Sequence, residues 1–306
     1  MSLRIGIIGM GVISKFYVFA LQNKLNNPLL TAVCDLNAER LKNFNDSEVW
    51  CFSHYHDLLA REDIDAVIVN VPNDKHFEIC RDALKAGKHV CCEKPLTLTM
   101  EEAEELVAIS REMNVTLFTA FHRRYNLHFV QALEKLTSRE EIAAVHASYL
   151  ELIEEHAGED KWYLQPERCG GGCVADNGPN VFDTLSFFLG KMRVQAANII
   201  RDEHHVDIKA YIQLITNSDI KVHVELDWGY LHGEKKDVLI MLKNGQKIYV
   251  DMLEGFPEFK SSLYHEYEQI LLDFKRQIEL GNCHGEAGLD AVRLVQETYE
   301  TENLKI

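Results

Sequence analysis

The chain has 306 residues, 46% hydrophobic and 26% charged, enough to bury a large core and to form two domains. Its 48 Asp and Glu against 32 Lys and Arg leave a formal net charge of −16. That balance repels phosphate backbones and anionic membrane surfaces, so neither nucleic acid nor membrane is an expected partner.

From Arg4 the chain runs straight into an apolar segment, with no basic start and longer apolar stretch to read as a signal peptide. Candidate strands at Arg4–Ile8, Leu29–Cys34, Ala66–Asn70, His89–Cys92 and Thr116–Thr119 alternate with helical stretches. The helices fall at Ile13–Leu25, Ala38–Phe44, Lys75–Ala86 and Met100–Met113. Strands each followed by a helix predict a doubly wound parallel sheet, and their unbroken apolar character fits strands covered on both faces. Thr99 before Met100-Glu101-Glu102 predicts a helix cap, and Gly87 a helix end.

After about residue 121 the pattern changes. A helix over Asn126–Leu136 precedes a strand within Ile142–Ile153, then Gly170-Gly171-Gly172 and a helix near Pro179–Leu189. From Val194 to Met252 the chain reads as consecutive strands, with turns at Asn217-Ser218 and at Asn244-Gly245, the latter a strong hairpin signal. Helices over Leu263–Leu280 and Leu289–Tyr299 follow. The expected division is therefore residues 1–121, a Rossmann domain, and 122–306, an α+β domain with a mostly antiparallel open sheet. The eight scattered cysteines form no CxxC and no zinc spacing, which predicts reduced thiols in a cytoplasmic protein without a metal site.

Gly9-Met10-Gly11-Val12-Ile13-Ser14 closes the first strand and opens a helix. Gly9 serves the tight turn, Gly11 lets a pyrophosphate reach the backbone, and Ser14 stands where a third glycine is usual. The following helix turns its free N–H groups toward the phosphates. Asp35 ends the second strand about 24 residues beyond Gly11, near the ~20 expected for the acid that binds ribose hydroxyls. A carboxylate there repels a 2′-phosphate, so NAD is the expected cofactor, with NADP kept open by Arg40.

Three segments then become specific. Ala86-Gly87-Lys88-His89-Val90-Cys91-Cys92-Glu93-Lys94-Pro95, Val71-Pro72-Asn73-Asp74-Lys75-His76 and Gly170-Gly171-Gly172-Cys173-Val174-Ala175-Asp176-Asn177-Gly178 occur in order. They resemble signatures of the glucose–fructose oxidoreductase and inositol dehydrogenase family (Gfo/Idh/MocA), and the likeness runs over essentially the whole chain. The resemblance implies cofactor contacts from Pro72, Asn73, His76, Glu93 and Lys94 beside those of Gly9 to Ile13. It also implies a cis Lys94–Pro95 bond, a ligand-facing arginine at Arg123, and a homodimer or homotetramer built through the second domain's sheet.

Lys94 lies just past the carboxyl end of an apolar strand, the edge where doubly wound sheets bind ligands. Partly desolvated there, a lysine suits proton transfer or polarisation at an alcohol or carbonyl oxygen. Asp176 is read as the second catalytic residue and as N-cap of a helix beginning near Gly178. Asn180, Arg123, Asp183 and Trp162 are the candidate substrate contacts, Trp162 by stacking on a sugar or equally by core packing.

The family pattern D-x-x-x-H-x-x-D carries a histidine where this chain has Asn180, and an amide cannot titrate near neutral pH. Three explanations stand. Lys94 with Asp176 suffices as the proton relay, or His122 or a tyrosine of the second domain takes over, or the chain binds nucleotide without turnover. The expectation is an NAD(P)-dependent oxidoreductase acting on a hydroxyl or carbonyl carbon of a small sugar, sugar derivative or cyclitol. The alternatives are a regulatory nucleotide-binding protein of the same fold and an NAD-using glycosidase.

Overall fold

The structure, a computed structural model, describes residues 2–25, 29–44, 48–155, 161–256 and 258–302. Its chain divides into two compact units, Met1–Ala120 with Tyr267–Leu289, and Phe121–Glu266 with Asp290–Ile306.

The first unit runs β1 (Arg4–Ile8), α1 (Ser14–Asn23), β2 (Leu29–Cys34), β3 (Trp50–Phe52), α2 (Tyr55–Leu59), β4 (Ala66–Val69), α3 (His76–Lys85), β5 (His89–Glu93), α4 (Met100–Met113) and β6 (Leu117–Ala120). All pairs are parallel, in the order β3-β2-β1-β4-β5-β6. The order reverses between β1 and β4, which places a ligand crevice at the carboxyl ends of those strands. Ile5, Ile7, Val67, Ile68, Val69, Val90, Cys91 and Cys92 are buried, as the unbroken apolar runs require. Thr99 caps α4 by accepting the Glu102 amide at 3.3 Å, and Gly87 takes φ +73 just past α3.

Two details differ from the sequence expectation. Ala38–Phe44 winds as a tighter 3-10 helix, and β3 and α2 are too short for a periodicity to show. The stretch Tyr267–Leu289, expected in the second domain, belongs to the first unit. The Tyr267 ring lies 5.4 Å from Phe16 and 4.8 Å from Tyr17, and Phe274 lies 5.8 Å from Phe118. Those rings fill the first unit's core, a tie between distant segments that no local pattern reveals.

The second unit contributes α5 (Leu127–Leu133), β7 (Ile142–Leu150), α6 (Pro166–Cys169), α7 (Cys173–Leu189), β8 (Met192–Arg201), β9 (Asp207–Thr216), β10 (Lys221–Asp227), β11 (Lys235–Leu242) and β12 (Lys247–Asp251). Two helices close the chain, α8 (Phe259–Leu280) and α9 (Glu286–Glu300). The sheet order is β12-β11-β7-β10-β9-β8, antiparallel except for the parallel β7–β10 pair. Helix α7 packs on β7, β9 and β10, where Val181, Phe182 and Leu185 join Ile212, Val224 and Leu226 in the core. Gly245, at φ +87, turns the β11–β12 hairpin.

Helix α7 begins earlier than the sequence suggests. Its N-cap is Gly172, so Asp176 sits inside the first turn rather than capping a helix near Gly178, and Pro179 lies within the helix. The cause is Asp207, whose carboxylate accepts the Val174 amide at 2.7 Å and sets a negative charge at the helix start. A Cβ on Gly171 would lie 2.2 Å from the Tyr299 hydroxyl, and one on Gly172 2.1 Å from the Asp207 carbonyl. The glycines let β9 and α9 approach α7. Among the described residues no helix is long and apolar enough to cross a membrane.

Candidate functional site

In the first unit the turn after β1 takes the form expected of a phosphate cradle. Gly9 adopts φ +92, and a Cβ there would lie 2.6 Å from the Asn70 carbonyl oxygen. The position therefore tolerates glycine alone. Gly11 differs, because a Cβ on it would meet nothing within 4 Å. Its backbone faces open space, as close approach by a ligand needs. Val12 is 58% exposed, and Ile13 leads into α1. The buried Ser14 hydroxyl donates to the Gly11 carbonyl at 2.7 Å and braces the turn.

Asp35 ends β2 with its carboxylate almost covered. It accepts the Met10 amide at 2.7 Å and the Asn37 amide at 2.8 Å, and pairs with Arg40 at 3.3 Å. The acid thus locks the turn to β2, while Arg40 brings a cation that the sequence had left open. Asn70 follows β4, and the buried amide atoms of its side chain have no hydrogen-bond partner among the described residues. Sequence reading passed over Asn70, although it is a polar residue ending the apolar run Ala66–Val69. Open backbone at Gly11, an acid beside it and an unsatisfied amide at the next strand end together fit a dinucleotide.

The family-like loops are built around buried contacts. His76 is fully buried, its ring nitrogens 2.6 Å from the Pro95 carbonyl and 2.9 Å from the Val71 carbonyl. Burial lowers its pKa, with the two carbonyls opposing. His76 therefore ties the Val71-Pro72-Asn73 loop to the chain after β5, and Asn73 is buried beside it. The Lys94–Pro95 bond is cis, and Lys94 is half-buried at the end of β5. Glu93 faces inward, accepting the Tyr17 hydroxyl at 2.9 Å. Burial pushes its carboxyl up to about 7, against the Tyr17 hydrogen bond and the Lys94 charge. The side chains of His76 and Glu93, both expected as cofactor contacts, also bond to protein groups.

In the second unit, Asn177, Asn180 and Asp183 lie three residues apart along buried α7, and each reaches a different partner. Asn177 donates to Glu151 at 2.9 Å, and Glu151 binds the buried Lys236 ammonium at 2.6 Å. The Asn180 amide lies 3.3 Å from Nε2 of His122. Asp183 takes a two-pronged ion pair from Arg124, with Nε at 2.8 Å. Burial pushes Asp183 up to about 6 in spite of that arginine. Asp176 is buried in the first turn of α7.

Arg123, expected to face ligand, is 1% exposed and donates to Glu266 at 2.9 Å and to Ser262 at 3.3 Å. Glu266 also accepts from His122 Nδ1 at 2.6 Å and from Asn126 at 2.8 Å. Burial raises the Glu266 carboxyl, but Arg123, His122 and Asn126 outweigh it and hold it below its usual value. Glu266 escaped the sequence reading, although it falls on the inward stripe Leu263, Tyr267, Ile270 and Phe274, where an acid is out of place. Trp162 is half-buried, stacked on Tyr163 at 3.8 Å and packed against the second unit's core.

The description "Oxidoreductase family, NAD-binding Rossmann fold" matches residues 3–122, and "GFO/IDH/MocA C-terminal domain" matches residues 130–247. The chain is 30% identical to the uncharacterized oxidoreductase YrbE of Bacillus subtilis over 60% of its own length and 53% of that protein. It is 31% identical to inositol 2-dehydrogenase of Salmonella typhimurium over 46% of itself and 43% of that protein. The matched stretch thus spans about half the length of these curated relatives. Among solved structures, myo-inositol 2-dehydrogenase from Lactobacillus plantarum superposes with a TM-score of 0.85 at 19% identity, covering 99% of this chain and 98% of that one. With both domain matches in order over the fold just described, the chain belongs to the Gfo/Idh/MocA oxidoreductase family, and its first unit is an NAD-binding Rossmann domain.

Proposed function

We propose that the protein is an NAD(P)-dependent dehydrogenase or reductase acting on a CH–OH or carbonyl carbon of a small sugar, sugar derivative or cyclitol. One observation carries the reading: Lys94 is half-buried at the carboxyl end of β5, in the sheet that presents the open Gly11 turn and Asp35. The relatives named as inositol 2-dehydrogenases support the substrate class.

The nicotinamide, when bound, supplies the redox chemistry by exchanging a hydride with the substrate carbon. Gly9 to Ile13 cradle the pyrophosphate, and Asp35 meets the adenosine ribose. Pro72 and Asn73 shape the wall of the cleft, braced by His76. Lys94 polarises the reacting oxygen and handles its proton. Asp176 and Asn180, both on α7, hold the substrate. The function is exercised in the cytoplasm by a homo-oligomer assembled through the second unit's sheet.

The test is NADH formation followed by absorbance across a panel of sugars, cyclitols and hydroxy acids, with Lys94→Ala as control. Turnover on one class, lowered ~10²-fold or more in the variant, supports the reading. Tight nucleotide binding with no turnover on any compound, in either direction, would favour the regulatory alternative. Transient oxidation with sugar-bond cleavage and no net NADH would mark a glycosidase.

A further inference from the structure

The position that the family gives to an imidazole is held here by an amide, yet an imidazole stands 3.3 Å from it. His122 is 4% exposed, Asn180 is 2% exposed and Glu266 is fully buried. Glu266 is charged and can only accept, so Nδ1 of His122, 2.6 Å away, must carry a proton. The other nitrogen, Nε2, is the variable atom, a lone pair in the neutral ring and an N–H in the charged one.

The consequence falls on Asn180. Beside neutral His122, the amide must offer Nδ2–H to the Nε2 lone pair. That leaves Oδ1 as a buried acceptor, and it has no hydrogen-bond partner among the described residues. Beside charged His122, the same geometry requires Oδ1 to accept from Nε2–H, so the amide turns over and Nδ2 becomes the end on offer. A cavity of about 20 Å³ is lined by Asn180, Arg123, Ser148, Tyr149, Thr184 and Lys236, among others. That is room for one water, or for one hydroxyl or carbonyl group of a larger ligand.

We propose that His122, held by Glu266, is a positioning residue whose charge decides whether Asn180 presents an acceptor or a donor to the substrate's oxygen. Neutral His122 makes Asn180 an acceptor, which suits a hydroxyl group. Protonated His122 makes it a donor, which suits a carbonyl oxygen. What Asn180 meets rests on the oxidoreductase reading above; the coupling of the two side chains does not.

The groups around the ring come from several elements. Glu266, from α8, is already compensated by Arg123 of His122's own segment, so a second cation on the ring gains no unshared counter-charge. Beyond Arg123 stand Tyr149 and Glu151 at β7, and Lys236 with Glu234 at β11. There Glu151 and Glu234 both bind Lys236. From α7 the amide of Asn180 meets the ring.

The test begins with nitrogen-15 NMR of the nucleotide-bound protein labelled at histidine and asparagine. His122→Gln assigns the ring and Asn180→Asp the amide. Above the midpoint His122 should carry its proton on Nδ1 alone, below it on both nitrogens, and the Asn180 side-chain signals should move with the same midpoint. A ring protonated on Nε2 throughout pH 5–9, or amide signals indifferent to its titration, overturns the coupling. Asn180→Asp, which keeps every other partner, should raise the His122 midpoint, and an unchanged midpoint also counts against it. For an alcohol found to turn over, the pH profile of kcat/KM should show that midpoint and change about tenfold across it, the worth of one hydrogen bond. The inflection should vanish in His122→Gln and shift upward in Asn180→Asp. Persistence of the inflection in His122→Gln overturns the substrate role. Absence of turnover on every alcohol would sink the oxidoreductase reading and with it that role, while the NMR result still decides the coupling.

Discussion

The Tyr17 hydroxyl donates to the Glu93 carboxylate at 2.9 Å, joining the helix after the phosphate turn to the strand that ends at Lys94. Burial pushes the acid up to about 7, above the 4.5 of an exposed glutamate in the unfolded chain. A carboxyl with a raised folded pKa favours the folded state most at low pH, and that contribution falls as pH rises from about 4.5 to about 7. Glu93→Gln removes the titration and keeps an acceptor for Tyr17. Relative to the parent, the variant should gain roughly 3 kcal/mol between pH 4 and pH 8.5, following about 1.4 kcal/mol per unit. Urea unfolding of the nucleotide-free proteins at the two pH values measures this, and an unchanged difference would refute the buried charge.

The two glycines of the turn should separate stability from binding. Gly9→Ala forces a side chain into positive φ against the Asn70 carbonyl, and should cost roughly 1–3 kcal/mol. Gly11→Ala meets no protein atom. Its melting temperature should stay near the parent's while NAD affinity drops tenfold or more, about 1.4 kcal/mol. Calorimetric binding beside thermal unfolding reads both; a destabilised Gly11→Ala with normal affinity would remove the cradle assignment.

In the function proposed above Asp35 and Arg40, paired at 3.3 Å, set cofactor choice. Replacing Asp35 with Ser releases the guanidinium and removes the carboxylate that opposes a 2′-phosphate. The ratio of NADP to NAD affinity should rise by about 10- to 100-fold, roughly 1.4–2.8 kcal/mol. Arg40→Ala added to Asp35→Ser should cancel most of the gain. Dissociation constants for both nucleotides in the three proteins decide it.

Asp183 and Arg124 form a largely buried pair, and removing the acid strands the guanidinium in the interior. Asp183→Leu should destabilise the fold by roughly 3 kcal/mol, the low end for breaking such a pair. Exchange of both residues for apolar ones should recover part of the loss. If Asp183 held substrate instead, KM would rise with stability little changed.

The placement of the first unit's candidate residues was legible because it is local. Gly9, Gly11 and Asp35 fall on a turn and a strand end within one stretch of chain, and a βαβ pattern announces where they sit. Lys94 stood out for the same reason. The burial of Arg123 was not legible, because its partner Glu266 lies 143 residues away. What crowds the triple glycine was equally hidden, since Asp207 and Tyr299 are distant in the chain. The start of α7 depends on Asp207 as well, which puts Asp176 inside the helix rather than at its cap. Long-range pairing, rather than weak propensity, separates what was read from what was not.

The return of Tyr267–Leu289 to the first unit has a bearing on biosynthesis. The ribosome finishes the six strands of the nucleotide-binding sheet by Ala120, yet the rings of Tyr267 and Phe274 that seal its core emerge only after the whole second sheet has been made. For that interval Phe16, Tyr17 and Phe118 lack their covering. The nascent sheet therefore waits with apolar rings uncovered, a natural client for a holding chaperone, and a fragment cut at residue 121 would share the same exposure permanently.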